Sequence, residues 1–415
     1  MNALWPRAKR KLALVPHSHV ARRLSFFEYG HAAAGASGKT LEPPRIITMV
    51  LEGDSTVTPR QWGDALRSVV EANHGIALRI QGSRQRARWT REGAMPPQLR
   101  LIDDSRWDGR SHRGLEIIEQ TPLPLQTGPT TELIVATGGI TRLILRTRHA
   151  LMDGMGVLHF FQELFRALRG EPLLGSNAAF SDVDLMRAVA SAAWRGGGES
   201  PIPLTGGARG ASYGDVWQRL TLPARPQRNL MGRVAEVAAR YARSFGPGPV
   251  RIAVAVNLRR HLPRLKSTMN FSGLLHVGMP PGETADDFRR KVHEALEQNC
   301  DVSYPAVAEC IRYLPLSFID RVTGRTSESY LRRKLLETVL ITNLGVVDMA
   351  PLSCAQFAPD NYYSLPVMGN SFISLSANQR HLNIVVGMPA VYASEGRLAR
   401  FIDLLREEFD RSEPN

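Results

Sequence analysis

The sequence predicts an α+β fold built as two halves of similar design. Three observations carry this. Alternating strand-like runs and amphipathic helical runs interleave along the whole chain, which fits neither an all-helical nor an all-strand architecture. The order of elements begins again near residue 215. Between the halves lies 196–214, rich in Gly, Pro and Ser, the composition of a linker or mobile crossover. The boundaries that follow are a basic N-terminal arm at 1–23, a first lobe at 24–195, the crossover at 196–214 and a second lobe at 215–415.

The arm carries Arg7, Lys9, Arg10, Lys11, Arg22 and Arg23. It has no continuous apolar stretch or small-residue cleavage site of a signal peptide, and is read as solvated, His17 and His19 included. Leu24–Tyr29 precedes an Ala/Gly-rich loop from His31 to Lys39. Ile46–Glu52 has strand composition. Thr58 with Pro59 gives an N-cap and a first-turn proline. A helix should follow from Arg60 to Asn73, with Trp62, Leu66, Val69 and Val70 on one face, stopped by His74-Gly75. Ile76–Ile80, Ala87–Thr90 and Leu99–Asp103 read as strands, and Leu115–Gln120 as a short helix. Glu132–Thr137 and Thr141–Thr147 flank Gly138-Gly139 as a hairpin. Val157, Phe161, Leu164, Phe165 and Leu168 then mark the apolar face of a helix. A further helix is expected over Asp182–Trp194.

In the second half, Trp217–Leu222 is a predicted strand and Asn229–Ser244 a helix with Val234, Val237, Ala238 and Tyr241 inward. Val250–Asn257 and Leu274–Met279 are strands. Thr284 caps a helix over Ala285–Gln298. Ser317–Thr323 and Leu331–Leu336 are helical pieces, Val339–Gly345 is a strand, and Phe372–Ala377 with Leu382–Val386 form a hairpin. A helix from Glu395 to Phe409 closes the chain.

Composition narrows the function. The chain has 415 residues, 43% hydrophobic and 22% charged, which is globular and enough for two lobes. No apolar run reaches the ~18 residues of a membrane span. The three cysteines, Cys300, Cys310 and Cys354, are odd in number and none is in a CxxC pair, so neither a disulfide framework nor a zinc site is expected, and the cytoplasm is the simplest compartment. The net charge of +13 attracts polyanions. Nucleic acid is one candidate, although aromatics are 7% and no nucleic-acid motif appears. Coenzyme A, or an acidic carrier protein bearing a phosphopantetheine thioester, fits equally well. The chain has no glycine-rich phosphate loop, no dinucleotide fingerprint and no Gly-x-Ser-x-Gly elbow, which removes support for nucleotide hydrolysis and serine hydrolase chemistry.

The chemistry concentrates at Arg148-His149-Ala150-Leu151-Met152-Asp153-Gly154-Met155-Gly156, where a strand ends and a helix begins. An imidazole there can take a proton from a hydroxyl or amine that attacks an acyl carbon. Backbone N–H groups at the glycine turn can hold a developing oxyanion. If the turn is tight, the Asp153 carboxylate points away from the ring and pairs with a buried arginine instead. A metal reading lacks a third ligand at usable spacing.

His149 to Gly154 matches the H-x-x-x-D-G signature of the condensation-domain and coenzyme-A-dependent acyltransferase superfamily, which includes chloramphenicol acetyltransferase, the plant BAHD enzymes, peptide condensation domains and polyketide-associated acyltransferases. Leu24–Glu28 resembles the opening segment of that group, and Val256–Arg259 and Thr342–Gly345 resemble two of its later segments. The resemblance implies two chloramphenicol acetyltransferase-like lobes in a V-shaped pseudo-dimer, with an active-site tunnel between them. It implies that His149 is the general base, with Asp153 and Gly154 completing the motif. It implies that Arg259 pairs with Asp153, that Asn343 faces the histidine, and that Asn270 and Ser272 line the donor channel. The reaction implied is direct attack of an alcohol or amine acceptor on a thioester, without covalent intermediate, bound cofactor or metal. Acyl-CoA or an acyl carrier protein is the donor, and a monomer suffices. Arg148 stands where peptide condensation domains often carry a second histidine, which weakens the assignment to peptide-bond condensation and leaves ester or amide acyl transfer more open. A non-catalytic module that binds a carrier or partner protein is the alternative from another class.

Overall fold

Strand alternation resolves into two large sheets and one small ribbon. The structure is a computed structural model that describes residues 12–16, 19–103, 105–189, 198–225, 228–324, 326, 335–367, 369 and 371–410. Its strands are β1 (Ile46–Ser55), β2 (Arg79–Gln81), β3 (Arg88–Thr90), β4 (Gln98–Ile102), β5 (Thr131–Ala136), β6 (Thr141–Arg148) and β7 (Asp215–Pro223). The series continues with β8 (Arg251–Asn257), β9 (Ser272–Gly278), β10 (Val339–Val346), β11 (Phe357–Ser364), β12 (Phe372–Ala377) and β13 (His381–Pro389). The helices that position the site are α1 (Phe26–Ala33), α2 (Pro59–Ala72), α3 (Glu116–Glu119), α4 (Gly154–Leu168), α5 (Asp182–Ala188), α6 (Leu230–Arg243), α7 (Ala285–Glu297) and α8 (Leu316–Thr323).

One sheet runs β11-β1-β6-β5-β4 and the other β7-β13-β12-β10-β8-β9, with β2-β3 apart. Helices α2 and α4 pack on the first sheet, where Trp62, Val69, Phe161 and Phe165 join Leu51, Leu133 and Leu145 in one buried cluster. Helix α6 and the closing helix Arg397–Asp410 do the same for the second sheet through Val234, Tyr241, Phe401 and Leu405. Capping boxes at Thr58 and Thr284 fix the starts of α2 and α7.

Strand β11 departs from the sequence reading. It lies in the second half of the chain, yet it pairs antiparallel with β1 and completes the first sheet, Met49 opposite Ser364. The first sheet therefore draws on both halves, and 215–415 does not hold a self-contained lobe. Its run Phe357-Ala358-Pro359-Asp360-Asn361 has turn composition. A register shift at Glu52/Gly53 accommodates it, and Gly53 is required there because a Cβ would overlap the Ala358 carbonyl oxygen.

The arm and the crossover are also held more firmly than their composition suggests. Val20 is buried, Arg22 pairs with Glu28 at 2.7 Å, and the Leu24 amide donates to Ala87 at 3.1 Å, so the end of the arm lies along the body instead of in solvent. The rings of His19 and His74 meet at a tilt, with centres 4.1 Å apart. Arg7, Lys9, Arg10, Lys11 and His17 lie outside the described residues. In the crossover, Leu204 is fully buried, and the Arg397 guanidinium donates to the carbonyls of Thr205 and Gly207 at 2.7 and 2.8 Å. The helix expected over Asp182–Trp194 is formed over Asp182–Ala188, and 190–197 lie outside the described residues, as do 331–334 of the expected piece at Leu331–Leu336.

The halves are joined by a buried polar cluster. Glu52 of β1 accepts from Arg142 at 2.9 Å, from Arg219 of β7 at 3.2 Å and from Tyr363 of β11 at 2.9 Å. Trp107 and Trp217 meet edge-on beside it, with ring centres 6.2 Å apart. Burying two arginines against one carboxylate is tolerable only because each guanidinium finds an acceptor.

Candidate active site

The end of β6 delivers His149 into a turn, and Asp153 stops that turn by capping α4. The Asp153 Oδ1 accepts from the Gly156 amide at 2.6 Å, an N-cap contact. The Oδ2 accepts from Arg259 at 2.8 Å and from the Phe271 amide at 2.6 Å. Arg259 donates onward to the carbonyls of Met269 and Ser267, at 2.6 and 3.0 Å. One carboxylate thus holds the start of α4 and a second-half segment, 267–271, in fixed relation.

Gly156 is where these two segments touch. A Cβ there would overlap the Thr268 carbonyl oxygen, which is backbone and cannot swing aside. Gly156→Ala is expected to lower unfolding stability by about 1–3 kcal/mol, read as a shifted denaturant midpoint. An unshifted midpoint would mean that the contact relaxes freely.

His149 is oriented from both sides. Its amide donates to the Arg45 carbonyl at 2.9 Å, and Asn270 Nδ2 donates to its carbonyl at 2.9 Å. Its Nδ1 lies 3.3 Å from the Met152 carbonyl oxygen. A carbonyl only accepts, so Nδ1 carries the proton and Nε2 carries the lone pair. Burial pushes the His149 pKa down to about 4, and the Arg45 charge adds to the shift. The Asp153 carboxylate and the Met152 carbonyl pull in the other direction. The ring of His31, on α1, stacks on His149 with centres 4.0 Å apart. Arg45 Nη1 donates to His31 Nδ1 at 3.3 Å, and burial, His149 and Arg45 hold His31 far below the ordinary imidazole range. Two adjacent imidazoles are therefore neutral at neutral pH.

These groups line a cavity of about 320 Å³ that also takes in Asp153, Gly154, Asn270, Ser272, Thr342 and Leu340. That volume suits part of a small organic substrate. Both halves of the chain contribute to its wall. Among the expected site residues, His149, Asp153, Gly154, Asn270 and Ser272 come together here, and Arg259 is joined to them through Asp153. A Cβ at Gly154 would stand 2.7 Å from Met49 Cε, the movable end of that side chain, so a substitution there would displace Met49 at the cavity wall.

Asn343 is the exception. It is exposed, and its Oδ1 accepts from the Gly345 amide at 2.9 Å instead of facing the histidine. Alternation along β10 explains this. Leu340 and Thr342 face the cavity, so Asn343 shares the opposite side with Val339 and Ile341. Thr342 is the polar residue that the sequence reading passed over. His31 and Arg45 were passed over as well, and nothing in their local sequence distinguishes them from other His and Arg residues.

Among the described residues, no group of three or more His, Cys, Asp or Glu side chains could hold a metal ion, and no helix is long and apolar enough to cross a membrane. The three cysteines are free thiols.

A scan against family models finds no match, and neither does a search of curated proteins. Comparison with solved structures does find matches. The starter condensation domain of rhizomide synthetase RzmA, in a mutant form in complex with C8-CoA and Leu-SNAC, superposes with a TM-score of 0.61 at 15% identity, over 95% of this chain and 96% of that one. The chain has the condensation-domain fold. The first condensation domain of the calcium-dependent antibiotic synthetase, in complex with a substrate analogue, gives 0.62 at 20% identity over 94% of this chain and 97% of that one. At this identity the likeness speaks for the fold, and the chemistry rests on the cavity.

Proposed function

We propose that the protein is an acyltransferase that moves an acyl group from a thioester, on coenzyme A or on a carrier protein's phosphopantetheine, to a hydroxyl or amine acceptor. The observation that carries this reading is His149: a neutral imidazole with its Nε2 lone pair available, set in a cavity walled by both halves. Nε2 takes the acceptor's proton as the acceptor oxygen or nitrogen attacks the thioester carbon. The C–S bond then breaks, and the thiolate leaves with the proton returned from His149. The imidazolium formed in between is steadied by the Met152 carbonyl at Nδ1 and by the Asp153 charge. The Gly154 amide, at the positive end of α4, and the Thr342 hydroxyl are candidates to hold the oxyanion. Direct transfer needs no covalent enzyme intermediate. The net charge of +13 favours an anionic donor. The fold's likeness to domains crystallised with an acyl-CoA supports the donor class.

The two halves are proposed to act as lobes around a tunnel, with donor and acceptor entering from opposite sides. Asn270 and Ser272 would then border the donor path, and Asn343 would influence the site only through the β10 turn. The test is thiol release from acyl-CoA and from acyl-pantetheine, measured against a panel of alcohols and amines. Acceptor-dependent release that requires His149 supports the proposal. Specific carrier-protein binding without release from any donor would favour the non-catalytic module instead.

The pH dependence has a definite sign. His149 acts as a base only when unprotonated, and its pKa is lowered from 6.5 to about 4. With any activating acceptor, kcat/KM is therefore expected to stay level from neutral pH down to about 5, and to fall about tenfold per unit below about 4. The same shift makes the unfolded chain bind this proton more readily, so the stability that His149 contributes is full above pH 6.5 and is lost as pH falls toward 4. Circular dichroism at each pH separates the two effects. A His149-dependent inflection near 6.5 would contradict the buried, neutral ring.

A further inference from the structure

A second cavity lies behind α1, beside the residue just before His149. Alternate residues of β6 project to one face of the sheet, so Arg142, Arg146 and Arg148 share a side. The first two are matched with carboxylates. Arg142 meets Glu52 at 2.9 Å, and Arg146 meets Glu132 as well as the carbonyls of Ile118 and Thr121. Arg148 is different. Only 7% of it is exposed, yet its Nε has no acceptor and its guanidinium makes no ion pair among the described residues. Burial alone lowers its pKa, to about 10, with no carboxylate pulling it back. A buried, unpaired guanidinium is a costly arrangement for the folded chain to keep without a counter-charge.

Arg148 borders two cavities. One, of about 570 Å³, already contains Glu119 and Asp215. The other, of about 610 Å³, has Arg148 and Arg84 as its charged lining residues and no carboxylate. Its walls are apolar at Leu125 and Leu316, with Gln126 and Ser317 as polar groups. Arg84 is exposed at the rim and is held at φ +53°, a left-handed conformation that a non-glycine residue rarely adopts. Helix α1 separates this cavity from the His149 cavity: Tyr29 and Ala32 face the first, and Phe27 and His31 face the second.

We propose that the cavity behind α1 binds a small organic anion, with Arg148 as the buried anchor for its carboxylate or phosphate head and Arg84 at the mouth. The planar guanidinium fork suits either oxyanion. The apolar walls suit an aliphatic or aromatic body.

The test uses the full chain, with sodium benzoate and sodium phosphate as probes against sodium chloride at equal ionic strength. Thermal unfolding and titration calorimetry are read on the natural protein, Arg148→Met and Arg148→Lys. Saturable binding and a raised Tm are expected with at least one oxyanion. Stronger binding of benzoate identifies a carboxylate ligand, and stronger binding of phosphate identifies a phosphorylated one. Arg148→Met is expected to abolish binding and, without ligand, to unfold no earlier than the natural chain. Arg148→Lys is expected to bind at least about tenfold more weakly, since it loses the fork. Should Arg148→Met fail to fold, the exposed change Arg84→Ala is expected to weaken the same binding several-fold at low salt. No oxyanion effect beyond chloride, or binding equal in the natural chain and these variants, overturns the proposal.

Discussion

Replacing His149 with alanine is expected to reduce acyl transfer by about 10²–10⁴-fold, the usual contribution of a positioned general base. The unfolding midpoint should move little. His149 lines the cavity, so its removal enlarges an existing space and opens no void in the apolar core. The KM for the thioester should change less than kcat, because proton transfer matters in the transition state and not in donor binding. The measurement is thiol release at saturating donor with the best acceptor found, accompanied by a thermal melt. Unchanged turnover would remove His149 from the reaction. A lost fold would mean that the stack with His31 and the contact to Met152 hold the turn together, and His149→Gln, which keeps an acceptor and a donor in the same volume, would then separate chemistry from structure.

Much of this geometry was legible from residue spacing. Helix α4 follows from Val157, Phe161, Leu164 and Phe165, which all reach zero or near-zero exposure in the first core. Helices α2 and α7 follow from a threonine cap, and α2 also from a regular apolar face. Each of these signals is local, arising within two or three turns of chain. What failed was non-local. Strand β11 is stabilised by pairing with β1, some three hundred positions earlier, and its own Pro359, Asp360 and Asn361 argue against a strand. The crossover at Leu204 looks like a linker because glycines surround it, while the arginine that pins it comes from the closing helix. The site repeats the pattern. His149 and Asp153 lie four positions apart in sequence and stand out as a motif. His31 and Arg45 reach His149 only through the path of α1 and the loop after it. Asn343 was placed by likeness of a short segment, and that cannot fix which side of a strand a residue occupies. A one-residue difference in reading separates Asn343 from Thr342 and moves the polar group to the other face.

Asp153 should matter mainly as a joint, and its variants can show this. Its side chain is 6% exposed and that of Arg259 is 11% exposed, so the pair is largely removed from water. Breaking such a pair by deleting one partner costs about 3–5 kcal/mol, because the remaining charge is stranded. Asp153→Ala also loses the α4 cap, worth about 0.5–2 kcal/mol, and leaves the Phe271 amide without its acceptor. A strongly destabilised protein is therefore expected, with a fall in Tm far larger than that of His149→Ala. Asp153→Asn keeps the shape and one acceptor oxygen but removes the charge opposite Arg259, so it should lose stability by an intermediate amount. Adding Arg259→Met to Asp153→Asn removes the stranded cation and is expected to restore part of that loss, a coupling that a double-mutant cycle reads directly. The catalytic effect should differ in kind from that of His149→Ala. Where folded Asp153→Asn protein remains, its activity should still depend on His149, with an acid limb moved to lower pH, since the carboxylate that raises the His149 pKa is gone. An Asp153→Asn protein with full stability and full activity would show that neither the cap nor the ion pair sets the site. Full stability with activity lost to the level of His149→Ala would instead make Asp153 a direct participant in proton transfer.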